Sequence, residues 1–482
     1  MTALHRLTEH ITKGFNNKRP PLRTVTIALD MSKAFDTVNL YTLTNKLLRT
    51  DTPTTMTKYI ANYIKGRKGY TTQDGKHSTK RQFKTGVPQG GVLSPTLFNL
   101  YTSDIPDPPE DVHIITYADD ITIYSSDKDH HTAQRRLQPY LDTIVQWTKD
   151  NDLILNADKT MTTLFTPDPA EYSDTLTLTI DQTTLPTTRT PKILGLTFDP
   201  KMTFSTHIKQ TSDKAKKTLN ILKALTSTTW GKTKETLTTT YKTVTRPILE
   251  YASTVWSPMI SKTQTNKLQT IQNAALRVAT GCTADTNYRH LHDETHTLPI
   301  DVHLRLHSSQ TRAKAAAPDH PLNDLTNQTR PPRHMKQTTF NNNNDYNIKH
   351  DPTDNDTATI KQRLKDNHTT TVQNYPDNRP PHKLLNRQPP DIDKTEETLD
   401  RRTRRLLAQL RTDKSPLLIS YKNKIDPSNF PDDTCPLCGL ATHDTPHLFN
   451  CPNIQTDLTI SSLWTDPAGA AALLERWEGE LA

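Results

Sequence analysis

Large apolar and aromatic side chains are scarce in this chain: hydrophobic residues make up 32% of its 482 positions and aromatic residues only 6%. That share lies well below what a compact domain normally carries, so part of the chain is expected to stay unpacked. No apolar run approaches the length of a membrane span and the N-terminus lacks a signal-peptide core, which points to a soluble, intracellular protein. Cysteine is also rare. There are four, three of them clustered near the C-terminus, a usage that argues against a disulfide framework and for a metal site. No internal repeat is present. Charge, in contrast, is plentiful: 60 Lys and Arg against 52 acids give a net +8, compatible with a polyanionic partner without requiring one. The length suits two to four domains.

Three aspartates stand out by position. Thr24 to Leu29 alternates apolar and polar residues as a half-buried strand does, and it ends at Asp30. Val112 to Tyr117 and Ile121 to Tyr124 read as two further strands, joined by a turn at Ala118-Asp119-Asp120. If these strands pair beside the first, three carboxylates meet at one edge of one sheet. Such a set repels itself unless cations neutralise it, and hard oxygen donors suit Mg²⁺. Two such ions, roughly 3.5–4 Å apart, stabilise both the attacking and leaving oxygens of an in-line phosphoryl displacement. The competing reading is a set of solvated turn acids.

Composition divides the rest unevenly. Ser94-Pro95 supplies an N-cap and first-turn proline to a helix lined by Leu97, Phe98, Tyr101 and Ile105. Leu137, Leu141, Ile144 and Trp147 or Thr148 pattern a second helix. Further helical stripes follow at Leu219, Leu222 and Leu225, and at Leu268, Ile271, Ala275 and Val278, the last closed by Gly281 as a C-cap. From 311 to 400 the pattern breaks into Pro331-Pro332, Asn341 to Asn344 and Pro380-Pro381-His382, a stretch expected to be a largely disordered linker. A basic helix follows (Arg401-Arg402, Arg404-Arg405, Leu406, Leu407, Leu410) whose arginines could contact RNA phosphates or simply be solvated. No interleaving of basic and aromatic residues singles out a stacking platform.

Cys435-x₂-Cys438-x₈-His447-x₃-Cys451 has the donors and spacing of a closed tetrahedral Zn²⁺ site. If its second half is helical, His447 and Cys451 share one face, one turn apart. Folding of so short a segment would depend on the metal. His443 is an alternative fourth ligand with a less suitable spacing, and Cys282 reads as a small packed residue.

The tetrapeptide Tyr117-Ala-Asp-Asp120 has three companions in fixed order: Leu29-Asp-Met-Ser-Lys-Ala-Phe-Asp36, Gly86-Val-Pro-Gln-Gly-Gly-Val-Leu-Ser-Pro95 and Leu155-Asn-Ala-Asp-Lys-Thr160. At these residues the chain resembles reverse transcriptases, most closely those of jockey-like non-LTR retrotransposons, over about 8 to 305 and again over 430 to 456. Ile193-Leu-Gly195 resembles the family's primer grip, and Arg246 to Ser253 its thumb region. The resemblance implies an α+β, right-hand polymerase palm with an antiparallel sheet, a helical thumb and a C-terminal zinc knuckle. It divides the chain into a remnant of the fingers or N-terminal helix (1–20), the palm (21–168), primer grip and helical thumb (169–310), linker (311–400), basic helix (401–430), CCHC knuckle (431–456) and a terminal helix (457–482).

The same resemblance implies site residues. Asp30 and Asp119 would hold two Mg²⁺ ions with Asp120 beside them, for attack of a primer 3′-oxygen on the α-phosphate of a dNTP. Phe35, five residues after Asp30, would exclude a ribose 2′-OH; the rival reading is a core residue. Gly86, Gln89 and Gly90 would form a loop against the nucleotide or template, although Gly91 stands where the family commonly has Ser. Lys159, protonated at neutral pH when unperturbed, would donate a proton to the leaving pyrophosphate; an exposed turn lysine is the alternative. Implied partners are an RNA template, a DNA primer or target and dNTPs, with action in the nucleus. Only 29 residues precede Asp30, which leaves the fingers motifs truncated and no upstream endonuclease. Lys18 and Arg19 lie in that lead without an assigned role. The alternative to an active polymerase is therefore a catalytically silent remnant that binds nucleic acid at most.

Overall fold

The structure, a computed structural model, describes residues 1–17, 20–226, 231–326, 337–341, 357–374 and 381–481. Lys18 and Arg19 fall outside them. The chain divides into two compact units, Met1–His207 with Pro321–Asn342, and Ile208–His320 with Asn343–Ala482.

The first unit is α+β. Helix α1 (Thr2–Phe15) buries Leu4, Leu7, Ile11 and Phe15, one stripe at helical spacing, and packs against strand β1 (Arg23–Leu29). Three helices follow, α2 (Ala34–Thr37), α3 (Leu40–Leu48, capped by the Asn39 side chain) and α4 (Thr54–Ile64). The chain then leaves as a two-stranded ribbon built from β2 (Lys68–Gly69), β3 (Thr72–Gln73), β4 (Lys76–His77) and β5 (Arg81–Gln82). After it come α5 (Ser94–Tyr101), β6 (Val112–Tyr117), β7 (Asp120–Asp127), α6 (His130–Asp150) and β8 (Met161–Phe165).

The main sheet has order β6-β7-β1-β8, antiparallel throughout, with Ile27 opposite both Ile123 and Thr162. Val25, Ile27, Leu29, Ile121 and Ile123 join Leu137, Leu141 and Ile144 of α6 in one core, so the predicted stripe of that helix is its buried face. Helix α5 buries Leu97, Phe98 and Tyr101, whereas Ile105 lies beyond its end. Ser94 does not cap it. Its hydroxyl turns back to donate to the Pro88 carbonyl at 2.5 Å, and Leu93 occupies the cap position.

Two small hairpins complete the unit: β9 (Thr179–Ile180) with β10 (Thr183–Thr184), and β11 (Lys192–Ile193) with β12 (Leu196–Thr197). The second turns at Leu194 and Gly195, both with φ near +45 to +80°, the left-handed pair that a two-residue hairpin needs.

The second unit is helical. Its elements are α7 (Ser205–Ala224, which begins in the first unit), α8 (Lys234–Thr240), a π turn at Tyr241–Thr245, α9 (Arg246–Glu250), α10 (Ser253–Trp256), α11 (Lys262–Thr280), α12 (Tyr288–Thr295), α13 (Ile300–Ala315) and α14 (Thr357–Asn374). Helix α11 carries a full capping box between Ser261 and Gln264 and ends on Gly281 at φ +75°, as its sequence predicts. After residue 381 come α15 (Arg401–Leu410), α16 (Ile419–Ile425), α17 (Thr445–Leu448), α18 (Ser462–Thr465) and α19 (Pro467–Leu481).

The described parts of residues 311–400 differ from the largely disordered linker that composition suggests. The motifs at 327–336, 342–356 and 375–380 lie outside the described residues. Elsewhere α13 runs to Ala315, Leu322, Leu325 and Phe340 are buried in the first unit, and Leu364 of α14 packs with Leu306 and Ala313 in the second. A few well-placed apolar residues order these segments by finding distant partners, which mean composition cannot reveal. Among the described residues no helix is long and apolar enough to cross a membrane.

Candidate active site and metal centre

The register of the main sheet decides where the three aspartates go. Leu29 of β1 pairs with Ile121 of β7, so Asp30 leaves the sheet beside Asp120. Tyr117 of β6 pairs with Asp120, and the two strands join through Ala118, at φ +53°, and Asp119. All three acids therefore sit at one end of three adjacent strands. Burial, then the charge of Asp119, then that of Asp30, push the Asp120 carboxyl above the usual aspartate range. No lysine or arginine pairs with any of the three among the described residues. They are grouped but do not all lie within 4.8 Å of one another: sets of three or more donors that close occur, among the described residues, only at the cysteine cluster and at Asp129–His131. The latter is already committed, since Asp129 caps α6 and His130 pairs with Asp174 at 3.0 Å.

Asp30 is fixed through its backbone by the segment that carries Lys159. The Asp30 carbonyl accepts from the Asn156 N–H at 2.9 Å, and its own N–H donates to the Thr160 hydroxyl at 3.2 Å. Met31 bridges Leu155, and the Ser32 N–H donates to the Ile154 carbonyl at 2.8 Å. Lys159 is exposed in this turn, its N–H held by the Asn156 side chain.

On the other side, α2 and the glycine loop are zipped together. Phe35 is half-buried and stacks on Phe98 with ring centroids 4.5 Å apart, so it packs on the core while keeping an exposed part. Its carbonyl accepts from Val87, and the Gly86 N–H donates to Val38. Gly86 has φ +82°, and a Cβ there would lie 2.8 Å from the Asp36 Cα and carbonyl oxygen, so only glycine fits. Gly90 shares that φ but faces open space. The Gln89 amide donates to Asp36 at 3.1 Å, and the Arg67 guanidinium reaches the Gly86 and Thr85 carbonyls. Asp36 and Arg67 thus shape the loop, although the sequence singled out neither. Asp36 does close the first motif, which was the available signal.

The cysteine cluster closes as its spacing suggests. Cys435, Cys438, His447 and Cys451 bring four donor atoms within 4.8 Å of one another. The Cys435 and Cys451 sulfurs lie 4.0 Å apart and Cys438 Sγ lies 3.3 Å from His447 Nε2. An ion with arms of about 2.3 Å sets tetrahedral ligands about 3.8 Å apart, so the donor set and spacing fit zinc. Gly439 at φ +63° and the bond from Cys435 N–H to the Ala441 carbonyl, at 2.7 Å, form the tight knuckle. Helix α17 covers only Thr445–Leu448, so Cys451 lies past its end rather than on a shared helical face. His443 is not among the four grouped donors, and its Nδ1 accepts from the Ile419 N–H at 3.1 Å. Cys435 and Cys451 belong to a core with Leu407, Leu410, Leu418, Leu448, Trp464, Leu473 and Trp477. Segments expected to be separate, 401–430, 431–456 and 457–482, are one packed body. Cys282 is buried, and burial pushes its thiol up to about 12.

The basic helix α15 is largely committed inside the second unit. Arg401 donates to the Lys232 and Val278 carbonyls, Arg402 pairs with Glu478 at 3.1 Å, and Arg404 with Glu235 at 2.5 Å. Just beyond it the buried Arg411 pairs with Glu294 at 3.0 Å and with Glu396, and donates to the Leu463 carbonyl, while Lys234 bridges both glutamates. Burial alone would raise the Glu294 carboxyl, but Arg411 and then Lys234 outweigh it and hold it down to about 2.

Residues 4–198 match the family model for reverse transcriptase (RNA-dependent DNA polymerase). A probable RNA-directed DNA polymerase from transposon BS of Drosophila melanogaster is 29% identical over 317 residues, covering 64% of this chain and 34% of that protein. The RNA-directed DNA polymerase from mobile element jockey of Drosophila melanogaster is 28% identical over 285 residues, covering 58% of this chain and 30% of that one. The chain thus spans about a third of the length of these curated relatives. Among solved structures, apo telomerase from Candida tropicalis aligns with a TM-score of 0.32 at 11% identity, covering 58% of this chain and 45% of that one.

Proposed function

We propose, from the premise that residues 4–198 are a reverse transcriptase domain, that this chain copies RNA into DNA for a non-LTR retrotransposon. The observation that carries the reading is the gathering of Asp30, Asp119 and Asp120 at one end of adjacent strands, none of them ion-paired to a lysine or arginine among the described residues. Asp30 and Asp119, with Asp120 beside them, would hold two Mg²⁺ ions, which supply charge neutralisation on the phosphates and activation of the primer 3′-oxygen. The reaction joins that oxygen to the α-phosphorus of a dNTP and releases pyrophosphate.

The chain's own groups do the positioning. The backbone clamp of Asn156 and Thr160 fixes where Asp30 starts, and the same turn offers Lys159 as proton donor to the pyrophosphate. Phe35, anchored by its stack on Phe98, presents an apolar edge where a ribose 2′-hydroxyl would lose its solvation without gaining a partner. Gly86 and Gly90 let backbone approach the incoming base pair, and Gln89 is held ready by Asp36. The Cys435–Cys451 cluster would hold a structural Zn²⁺. Copying into chromosomal DNA would place the protein in the nucleus.

Primer extension on an RNA template with Mg²⁺ and dNTPs tests this. Incorporation by the wild-type chain, lost in Asp119→Asn, is expected; equal incorporation by both proteins rejects the site. No incorporation by either, with RNA still bound, would favour the silent-remnant reading.

A further inference from the structure

Seven basic residues and one acid occupy positions 65–84, and this segment is the ribbon β2–β5, which projects from the first unit. Its two ladders pair Lys68 with Gln82 and Thr72 with His77, and the register slips by one residue between them, a bulge. The tip is Asp74-Gly75, both at positive φ, the chemistry of a tight type I′ turn. Lys65, Lys68, Lys76, Lys80, Arg81 and Lys84 are all exposed, and none joins an ion pair among the described residues. A ribbon this short has no core to stabilise, so such a concentration of unpaired like charge is a cost to the fold.

Two aromatic rings lie among these cations. Tyr70 is 51% exposed, with Lys80 over its ring at 5.9 Å and His77 at its edge. Phe83 is 50% exposed and lies against Gly69, where a Cβ would come within 2.7 Å of the ring; Arg67 sits over it at 5.5 Å. Glycine at 69 thus leaves room for the ring against the strand. Half-exposed rings with cations beside them are what unpaired bases need: faces for stacking and charge for phosphates. A duplex hides its base faces and could use only the charge.

We propose that the ribbon 67–84 is a docking platform for an unpaired nucleic-acid strand. It is tied to the glycine loop, because Arg67 at its base binds the carbonyls of Thr85 and Gly86. A strand lying on it is therefore led to the loop that carries Gln89 and Gly90. That this strand is the RNA template rests on the polymerase reading; the binding itself does not.

Fluorescence anisotropy of the full chain with a 12-nucleotide oligouridylate, without Mg²⁺ or dNTP, separates the two. Tyr70→Ala should weaken binding about tenfold, the effect of one lost stacked base, and leave binding of a 12-base-pair duplex unchanged. Lys80→Gln with Arg81→Gln should flatten the salt dependence by roughly 1.4 in log–log slope, about 0.7 per phosphate contact. Both variants alter only exposed side chains, whereas Phe83→Ala also uncovers Gly69. Asp119→Asn should bind like wild type, so a failed polymerase does not disturb the measurement. An unchanged affinity in Tyr70→Ala, or an equal loss for single strand and duplex, overturns the proposal.

Discussion

Asp120 carries a carboxyl that the folded chain makes harder to ionise, and the reason is its company. Burial and the charges of Asp119 and Asp30 raise its pKa above the ordinary value of about 3.9. A group raised in this way contributes stability that is fully present below that value and lost as pH rises through the folded one. Once charged, the Asp120 carboxylate faces the charges of Asp119 and Asp30, a repulsion that a bound cation would relieve. Asp120→Asn should therefore raise the melting temperature of the metal-free protein, and Mg²⁺ should raise that of wild type more than that of the variant, both read by calorimetry. On the proposed reading, Asp119→Asn should slow incorporation on the order of a thousandfold, since the charge stabilisation that a metal ligand supports is worth several kcal/mol. At the glycine loop, Gly86→Ala meets the Asp36 backbone and should cost about 1–3 kcal/mol in chemical denaturation, whereas Gly90→Ala, with open space, should cost about 1 kcal/mol. The sequence revealed these positions because strand ends and left-handed glycines leave local marks. It did not reveal that Phe35 is half-buried, because its packing depends on Phe98, distant in sequence.

Elements were legible wherever one face of a helix or strand repeats. The stripe of α6 is buried, as are Leu268, Ile271 and Ala275 of the α11 stripe, with Val278 only half-buried; the three predicted strands are β1, β6 and β7. What stayed hidden was pairing between charged residues far apart in the chain. Glu294, Glu396 and Arg411 each look like solvated residues, yet together with Lys234 they form a buried ionic knot joining α8, α12 and α15's end. Removing one member leaves uncompensated buried charge, so Arg411→Leu should destabilise by about 3–5 kcal/mol. The depressed Glu294 pKa sets a pH window too: its contribution is present above the usual glutamate range and is lost as pH falls towards about 2. Acid titration of wild type should thus show a stability loss in that range that Glu294→Gln lacks. The ribbon was missed for a different reason. Lys65 to Tyr70 and Lys80 to Lys84 do interleave basic and aromatic residues, but only the turn at Asp74-Gly75 brings them together.

Taken whole, the molecule has two units whose cores answer to different conditions. The hydrophobic cluster of the first unit contains no cysteine, while Cys435 and Cys451 sit inside the apolar cluster of the second unit. If the cysteine cluster holds zinc as proposed, a chelator should lower one calorimetric transition and leave the other in place, accompanied by a change in the fluorescence of Trp464 and Trp477. Low overall hydrophobicity hid this organisation, since it averages the well-packed segments with the polar ones. The knuckle's place in that core also bears on how the chain can be divided for experiments. Ending an expressed fragment at residue 430 would discard Leu448, Trp464 and Trp477 and strand Leu407, Leu410 and Leu418 in water. What looks on paper like trimming a tail would unroof the half that remains, and the shortened product should precipitate rather than simply lose a binding function.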